Sequence, residues 1–174
     1  TSEMQKVVGT LSWYCLDFWA EKLDLNIVEA KREIEHLISI REDSLPFIDA
    51  LKASGRDVIL VTNAHPDSLS LKMEHTQLDD HIDQLISTHE FSVTKESPVL
   101  WQRLQAKLGF NPEHTLFVDD SLGILKAAQD FGIKHLLAVS NPDSRQPARK
   151  ISEFPSIQDY RFLLDEIVAN PFVN

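Results

Sequence analysis

A chain of 174 residues is the size of one domain, or of a core domain with a small accessory piece, and its 43% apolar and 25% charged residues are ordinary for a globular protein. Its 27 acidic residues against 17 basic ones give a formal charge of -10, which disfavours nucleic acid and anionic membrane as partners, and no run of about 18 apolar residues exists to cross a bilayer. One cysteine, Cys15, excludes an internal disulfide and points to a cytoplasmic setting.

From the start of the chain, apolar residues recur at helical spacing over residues 11 to 38, including Leu11, Tyr14, Phe18, Trp19 and Leu23, then Ile27, Ile34 and Leu37, which predicts two helices. Ser44 to Ser54 reads as a helix with Asp43 or Ser44 as N-cap and Gly55 to stop it. A buried strand is expected at Val58 to Val61, a helix at His65 to Thr76, a strand at Gln84 to Ser87, and a helix at Pro98 to Leu108 ended by Gly109. A strand at Thr115 to Val118, a helix at Ser121 to Phe131 stopped by Gly132, and a strand at His135 to Val139 continue the alternation. Residues 141 to 155, with three prolines, read as an irregular excursion before a last helix at Ile157 to Val168. Four short apolar strands separated by helices indicate an α/β protein with a parallel sheet covered on both faces. The boundary falls near Ile40 to Asp43, with helices before it and the αβ pattern after it.

Three polar sites stand at or beyond strand ends. Thr62-Asn63 closes Val58-Ile59-Leu60-Val61, Lys95 precedes a helix, and Asp119-Asp120 closes Leu116-Phe117-Val118. A hydroxyl, a cation and a carboxylate pair in these places suit magnesium-assisted phosphoryl transfer. Adjacent carboxylates repel unless a cation or donors offset them, and magnesium is commonly held by one or two carboxylates, waters and a substrate phosphate. Each feature has a plainer alternative. Asp120 could cap the following helix, Thr62-Asn63 could form an Asx turn, and Lys95 could be solvated or paired with Glu96. As a connector lysine, Lys95 is expected to tolerate charge reversal within about ±0.5 kcal/mol. His65, beside the Thr62 loop, is a candidate to reach substrate. Trp13, Tyr14, Phe18 and Trp19 form an aromatic cluster that either stacks on a ring or fills the core. Nowhere do two Asp residues stand two positions apart, and Walker, Gly-x-Ser-x-Gly, Gly-x-Gly-x-x-Gly and His-Glu-x-x-His motifs are all missing.

The order Thr62, Lys95, Asp119-Asp120 resembles motifs II, III and IV of the haloacid dehalogenase (HAD) superfamily. Over nearly its full length the sequence is similar to the bacterial purine 5'-nucleotidase subgroup described as GMP/IMP nucleotidases. The matching stretches are Leu11-Ser12-Trp13-Tyr14-Cys15-Leu16-Asp17, Arg41-Glu42-Asp43, Leu51-Lys52-Ala53-Ser54-Gly55, Thr62-Asn63-Ala64-His65-Pro66, Thr115 to Ser121, Asn141-Pro142-Asp143-Ser144 and Asp159-Tyr160-Arg161. The resemblance implies a Rossmann-like three-layer αβα core with a parallel sheet. It implies that residues 1–42 are the C-terminal part of a helical cap and residues 43–174 a core lacking its first strand.

It further implies that Thr62, with the Asn63 backbone, binds the phosphoryl group, that Lys95 holds nucleophile and phosphate, and that Asp119 and Asp120 hold Mg2+. The substrate class is a small phosphorylated metabolite, a purine nucleotide by subgroup. The family's first motif, an Asp-x-Asp carrying the nucleophile, is not among these residues, so the chain as written is expected to be inactive. Self-association through the slot of the missing strand is a second consequence. Two alternatives differ in kind. A HAD-fold protein could serve a binding or partner role without catalysis, and a receiver-type phosphoacceptor domain also gathers Asp-Asp, Thr and Lys. A receiver, however, places its acidic pair first and its lysine last, the reverse of the order here.

Overall fold

The computed structural model describes residues 2–24, 26, 38–143 and 146–172. Three short helices come first: α1 (Ser2–Val7), α2 (Leu11–Tyr14) and α3 (Leu16–Leu23). The first of the two expected helices is therefore interrupted at Cys15, which takes extended backbone angles, and Asp24 ends α3 in the left-handed region at φ 51. The second, carrying Ile27, Ile34 and Leu37, lies outside the described residues.

The αβ alternation then runs α4 (Ser44–Ala53), β1 (Ile59–Thr62), α5 (Pro66–Thr76), β2 (Gln84–Ser87), α6 (Pro98–Leu108), β3 (Leu116–Asp119), α7 (Leu122–Phe131) and β4 (His135–Val139). Proline at the first position starts α5 and α6, where its missing N–H costs nothing. Gly132 stops α7 at φ 114, a left-handed conformation that a side chain would disfavour. After β4 the chain departs from expectation. In place of one helix from Ile157 there is a two-residue strand, β5 (Ser156–Ile157), a 3-10 turn at Tyr160–Leu163, and α8 (Leu164–Ala169). Backbone pairing with β4 claims Ser156 and Ile157 before a helix can begin.

All described strand pairs are parallel, but they form two sheets, β1-β2 and β3-β4-β5. Thr62 pairs with Ser87 and Asp119 with Ala138, so the first and third predicted strands each run one residue further than expected, into their polar residues. One core serves both sheets: Ile86, Leu100, Trp101, Leu104, Ile124, Ala128 and Ile133 are buried together, with Ile59 and Val61 of β1 and Phe117 of β3 packed against them. Leu100 is completely buried, and truncating such a leucine to alanine costs about 2–5 kcal/mol. This shared packing by α6 and α7 holds the carboxyl ends of β1 and β3 within reach of the same connector.

Candidate active site

Lys95 lies in the polar connector before α6, and three interactions fix it. Its backbone N–H donates to Asn63 Oδ1 at 2.9 Å, its carbonyl accepts Trp101 Nε1 at 3.0 Å, and its ammonium donates to Asp119 Oδ2 at 2.6 Å. The Lys95 side chain is 15% exposed and that of Asp119 5%. Neither the solvated lysine nor the Lys95–Glu96 pair describes this residue, and the expected indifference to charge reversal falls with them. Glu96 instead accepts from Tyr14 Oη and Asn63 Nδ2, both at 3.2 Å.

Asn63 is the junction of the site. Beyond Lys95 and Glu96, its Oδ1 accepts from Thr88 Oγ1 at 3.0 Å, and both Asn63 and Thr88 are buried. With its side-chain groups committed, Asn63 has only its backbone to offer a ligand. The turn after β1 is also not an Asx turn: Thr62 Oγ1 accepts the Ala64 N–H at 3.1 Å, and Ser87 Oγ donates to the Ala64 carbonyl at 2.8 Å. Since the Thr62 oxygen is accepting, its own O–H remains as a donor. His65 caps α5 through Nδ1, which accepts the Asp67 N–H at 3.3 Å, and its ring meets His89 edge-on at 5.1 Å. Burial, then the neighbouring His65, pushes the His89 pKa down, against an opposing hydrogen bond to the Asn63 carbonyl.

Asp119 Oδ1 accepts the Ser121 N–H at 2.8 Å, so it is Asp119, not Asp120, that satisfies the start of α7. Asp120 is exposed, its carbonyl accepts from Arg149 at 2.7 Å, and its carboxylate makes no hydrogen bond or ion pair among the described residues. The two oxygens of Asp119 each use one donor and a carboxylate has about four acceptor positions, so the pair retains capacity for a hard cation. A shallow cleft of about 620 Å³ lies elsewhere, lined by Pro66, Leu69, Met73 and Leu85 among others, and includes none of Thr62, Lys95 and Asp119. Of the three sites, Lys95 and Asp119 are in direct contact, and the Thr62 turn is joined to them through Asn63 and the Lys95 backbone.

The aromatic cluster divides. Trp19 meets Trp13 and Phe18 edge-on at 5.7 and 5.2 Å, while Tyr14 turns its hydroxyl to Glu96. Burial, chiefly, raises the Tyr14 pKa. Its distance from Glu96 in sequence, 82 positions, kept this contact from view.

A second hub was visible only as a matching stretch. Arg41 donates to both oxygens of Asp43 at 3.0 and 2.8 Å, to the carbonyls of Asn141 and Gln158, and stands over the Tyr160 ring at 5.4 Å. Burial opposes ionisation of Asp43, but hydrogen bonds from Arg41 and the Tyr160 N–H outweigh it and hold its carboxyl below the usual range. That commitment leaves the Asp43 side chain unavailable to cap α4.

A family model for haloacid dehalogenase-like hydrolases matches residues 13–160. The chain belongs to that family. It is 48% identical over 162 residues to the GMP/IMP nucleotidase YrfG of Escherichia coli (strain K12), covering 93% of this chain and 73% of that protein, and matches the Shigella flexneri protein of the same name equally. A HAD phosphatase structure from Thermococcus onnurineus superposes with a TM-score of 0.78 at 22% identity, covering 99% of this chain and 79% of that one. The L-2-haloacid dehalogenase of Xanthobacter autotrophicus with chloropropionic acid covalently bound gives a TM-score of 0.67 at 18% identity, over 90% and 78% of the two chains. These likenesses give the HAD fold, Rossmann-like with parallel strands, and the hydrolase family. No described helix is long and apolar enough to cross a membrane.

Proposed function

We propose that this chain carries the phosphate- and magnesium-binding part of a cytoplasmic phosphomonoester hydrolase that acts on purine 5'-nucleotides such as GMP and IMP. The observation that carries the reading is the 2.6 Å contact between Lys95 and Asp119, with the backbone of Lys95 anchored on Asn63 of the Thr62 turn. The ammonium and the carboxylate meet beyond β3, and the Thr62 hydroxyl stands in the turn whose Asn63 anchors the Lys95 backbone, at the carboxyl end of β1, the kind of place where α/β folds bind ligands. The nucleotidase name of the relative at 48% identity supports the substrate class.

In this reading residues 1–42 form part of a cap and residues 43–174 the core. Thr62 Oγ1 donates to a phosphoryl oxygen, and the Asn63 backbone N–H supports it. The Lys95 ammonium, held by Asp119, offsets the repulsion between an anionic phosphate and an attacking carboxylate. His65 stands at the rim as a substrate contact. Asp119 and Asp120 would hold Mg2+, which supplies charge neutralisation on the phosphate; the oxygen-only donor pair suits it. The attacking carboxylate, which forms the aspartyl-phosphate, comes from outside these 174 residues, since no Asp-x-Asp occurs in them.

The test compares phosphate release from GMP, IMP and a pyrimidine 5'-monophosphate by three proteins: one carrying an Asp-x-Asp strand ahead of this chain, its Asp119→Ala variant, and the 174 residues alone. Only the first is expected to turn over, because losing a nucleophile costs on the order of 10⁶ in turnover where a hydrolase has been dissected. Equal activity in all three would overturn the mechanism. Pyrimidine preference would overturn the substrate class and leave the mechanism standing.

A further inference from the structure

Cys15, Asp17 and His65 bring a thiol sulfur, a carboxylate oxygen and a ring nitrogen within 4.8 Å of one another. They come from two distant parts of the chain. Cys15 separates α2 from α3, Asp17 lies in the first turn of α3, and His65 is the N-cap of α5. Neither Cys15 nor Asp17 has a part in the phosphoryl chemistry described above. We propose that these three side chains form a binding site for a zinc-class divalent cation, which ties the α2–α3 segment to the start of α5.

The donor set selects the metal. Thiolate with imidazole is softer than the oxygen pair of Asp119 and Asp120, and such sets favour zinc or cobalt over magnesium. Tetrahedral zinc has bonds of about 2.0–2.3 Å, which put neighbouring donors about 3.3–3.8 Å apart. Closing the present spread requires movements of about 1 Å at two half-buried side chains and an exposed one. His65 Nδ1 accepts the Asp67 N–H, so binding a cation through Nε2 moves the ring proton to Nδ1, which gives up that cap and turns to the Asp67 carboxylate, 3.7 Å away, for support. Forming the sulfur–metal bond breaks the S–H bond, and that proton goes to solvent; Asp17 binds as the carboxylate and His65 as the neutral ring. Three protein ligands leave the fourth tetrahedral position to water.

The consequence is mechanical. His65 lies two residues beyond Asn63, so a cation here clamps the aromatic-bearing segment next to the Thr62 turn. The site does not depend on the phosphatase reading, and its test reads no activity.

Cobalt(II) added to the reduced 174-residue chain should develop a thiolate-to-cobalt charge-transfer absorption that saturates at one equivalent. Stoichiometric zinc should erase the absorption, while excess magnesium should leave it intact. Cys15→Ser should abolish it. Because any exposed thiol could give some colour, Asp17→Asn and His65→Gln decide the matter. Each should weaken cobalt binding by at least about tenfold, given that even outer-sphere partners are worth about 10–100-fold. A single cooperative urea transition would verify that these variants fold, with His65→Gln at a lower midpoint because it loses the cap on α5. The proposal fails if no band forms at stoichiometric cobalt, if affinity in Asp17→Asn and His65→Gln is the same as in wild type, or if excess magnesium displaces the cobalt.

Discussion

Replacing Lys95 by methionine keeps most of the side-chain volume and removes the charge that faces Asp119. In the folded protein Asp119 is 5% exposed and receives two donors, Lys95 Nζ at 2.6 Å and the Ser121 N–H at 2.8 Å. The variant keeps only the second. Leaving a buried charge without its partner costs about 3–5 kcal/mol, and a hydrogen bond to a charged group is worth about 1.5–3 kcal/mol. With Lys95 at 15% exposure and one donor retained, the expected loss is about 2–3 kcal/mol. At about 2–4 °C per kcal/mol for a chain of this size, the melting temperature should fall by about 4–12 °C. Asp119→Asn removes the charge but keeps an acceptor for Ser121. The double variant Lys95→Met, Asp119→Asn should therefore lose at least about 1 kcal/mol less than the sum of the singles. Urea denaturation of the four proteins supplies the cycle. A Lys95→Met change within about 0.5 kcal/mol of wild type, the value for an ordinary surface residue, would refute the buried pair, and so would strict additivity.

Arg41→Ala should destabilise by about 3 kcal/mol, because it strips the bidentate partner from buried Asp43 and frees two carbonyls; Arg41→Lys should recover little, since an ammonium cannot reproduce the fork. Urea midpoints check both, and full rescue by lysine would count against the geometry. His89 has its folded pKa below its unfolded value of about 6.5, so the unfolded chain binds more protons between the two. Its contribution is present above about pH 6.5 and fades as pH falls below it, and His89→Gln should flatten the stability profile just below about pH 6.5. Gly55→Ala should cost about 1–2 kcal/mol from left-handed strain alone, and more because a Cβ would meet the Phe172 carbonyl oxygen at 2.9 Å. Gly109→Ala, with φ 68 and nothing within 4 Å, isolates the strain. Equal losses at the two glycines would mean that the tail yields freely.

What the sequence made legible was whatever is decided over a few residues. Pro98 and Gly109 bracket α6 because each acts on its own backbone angles, so both ends of that helix could be read directly. The ends of β1 and β3 slipped by a residue because Thr62 and Asp119 look like loop residues by polarity, yet their backbones remain in register with Ser87 and Ala138. Strand β5 left no pattern at all: two residues cannot show a period of two, and only the neighbouring β4 makes them a strand.

The site divides along the same line, between what a residue is and what it faces. Thr62 and Asp119 could be proposed because strand ends present side chains to ligands, and Lys95 because of its place in order between them. Their neighbours could not, because Asn63 is made a hub by Thr88 and Lys95, 25 and 32 positions away, and Glu96 is held by Tyr14 at a separation of 82. A polar side chain announces that it needs partners but not which ones. Lys95 shows why this matters for energetics: as one cation in a polar connector it looked dispensable to the fold, and one contact to a buried carboxylate makes its removal costly. Under the proposed function, the contact that holds Lys95 to Asp119 serves stability and chemistry together.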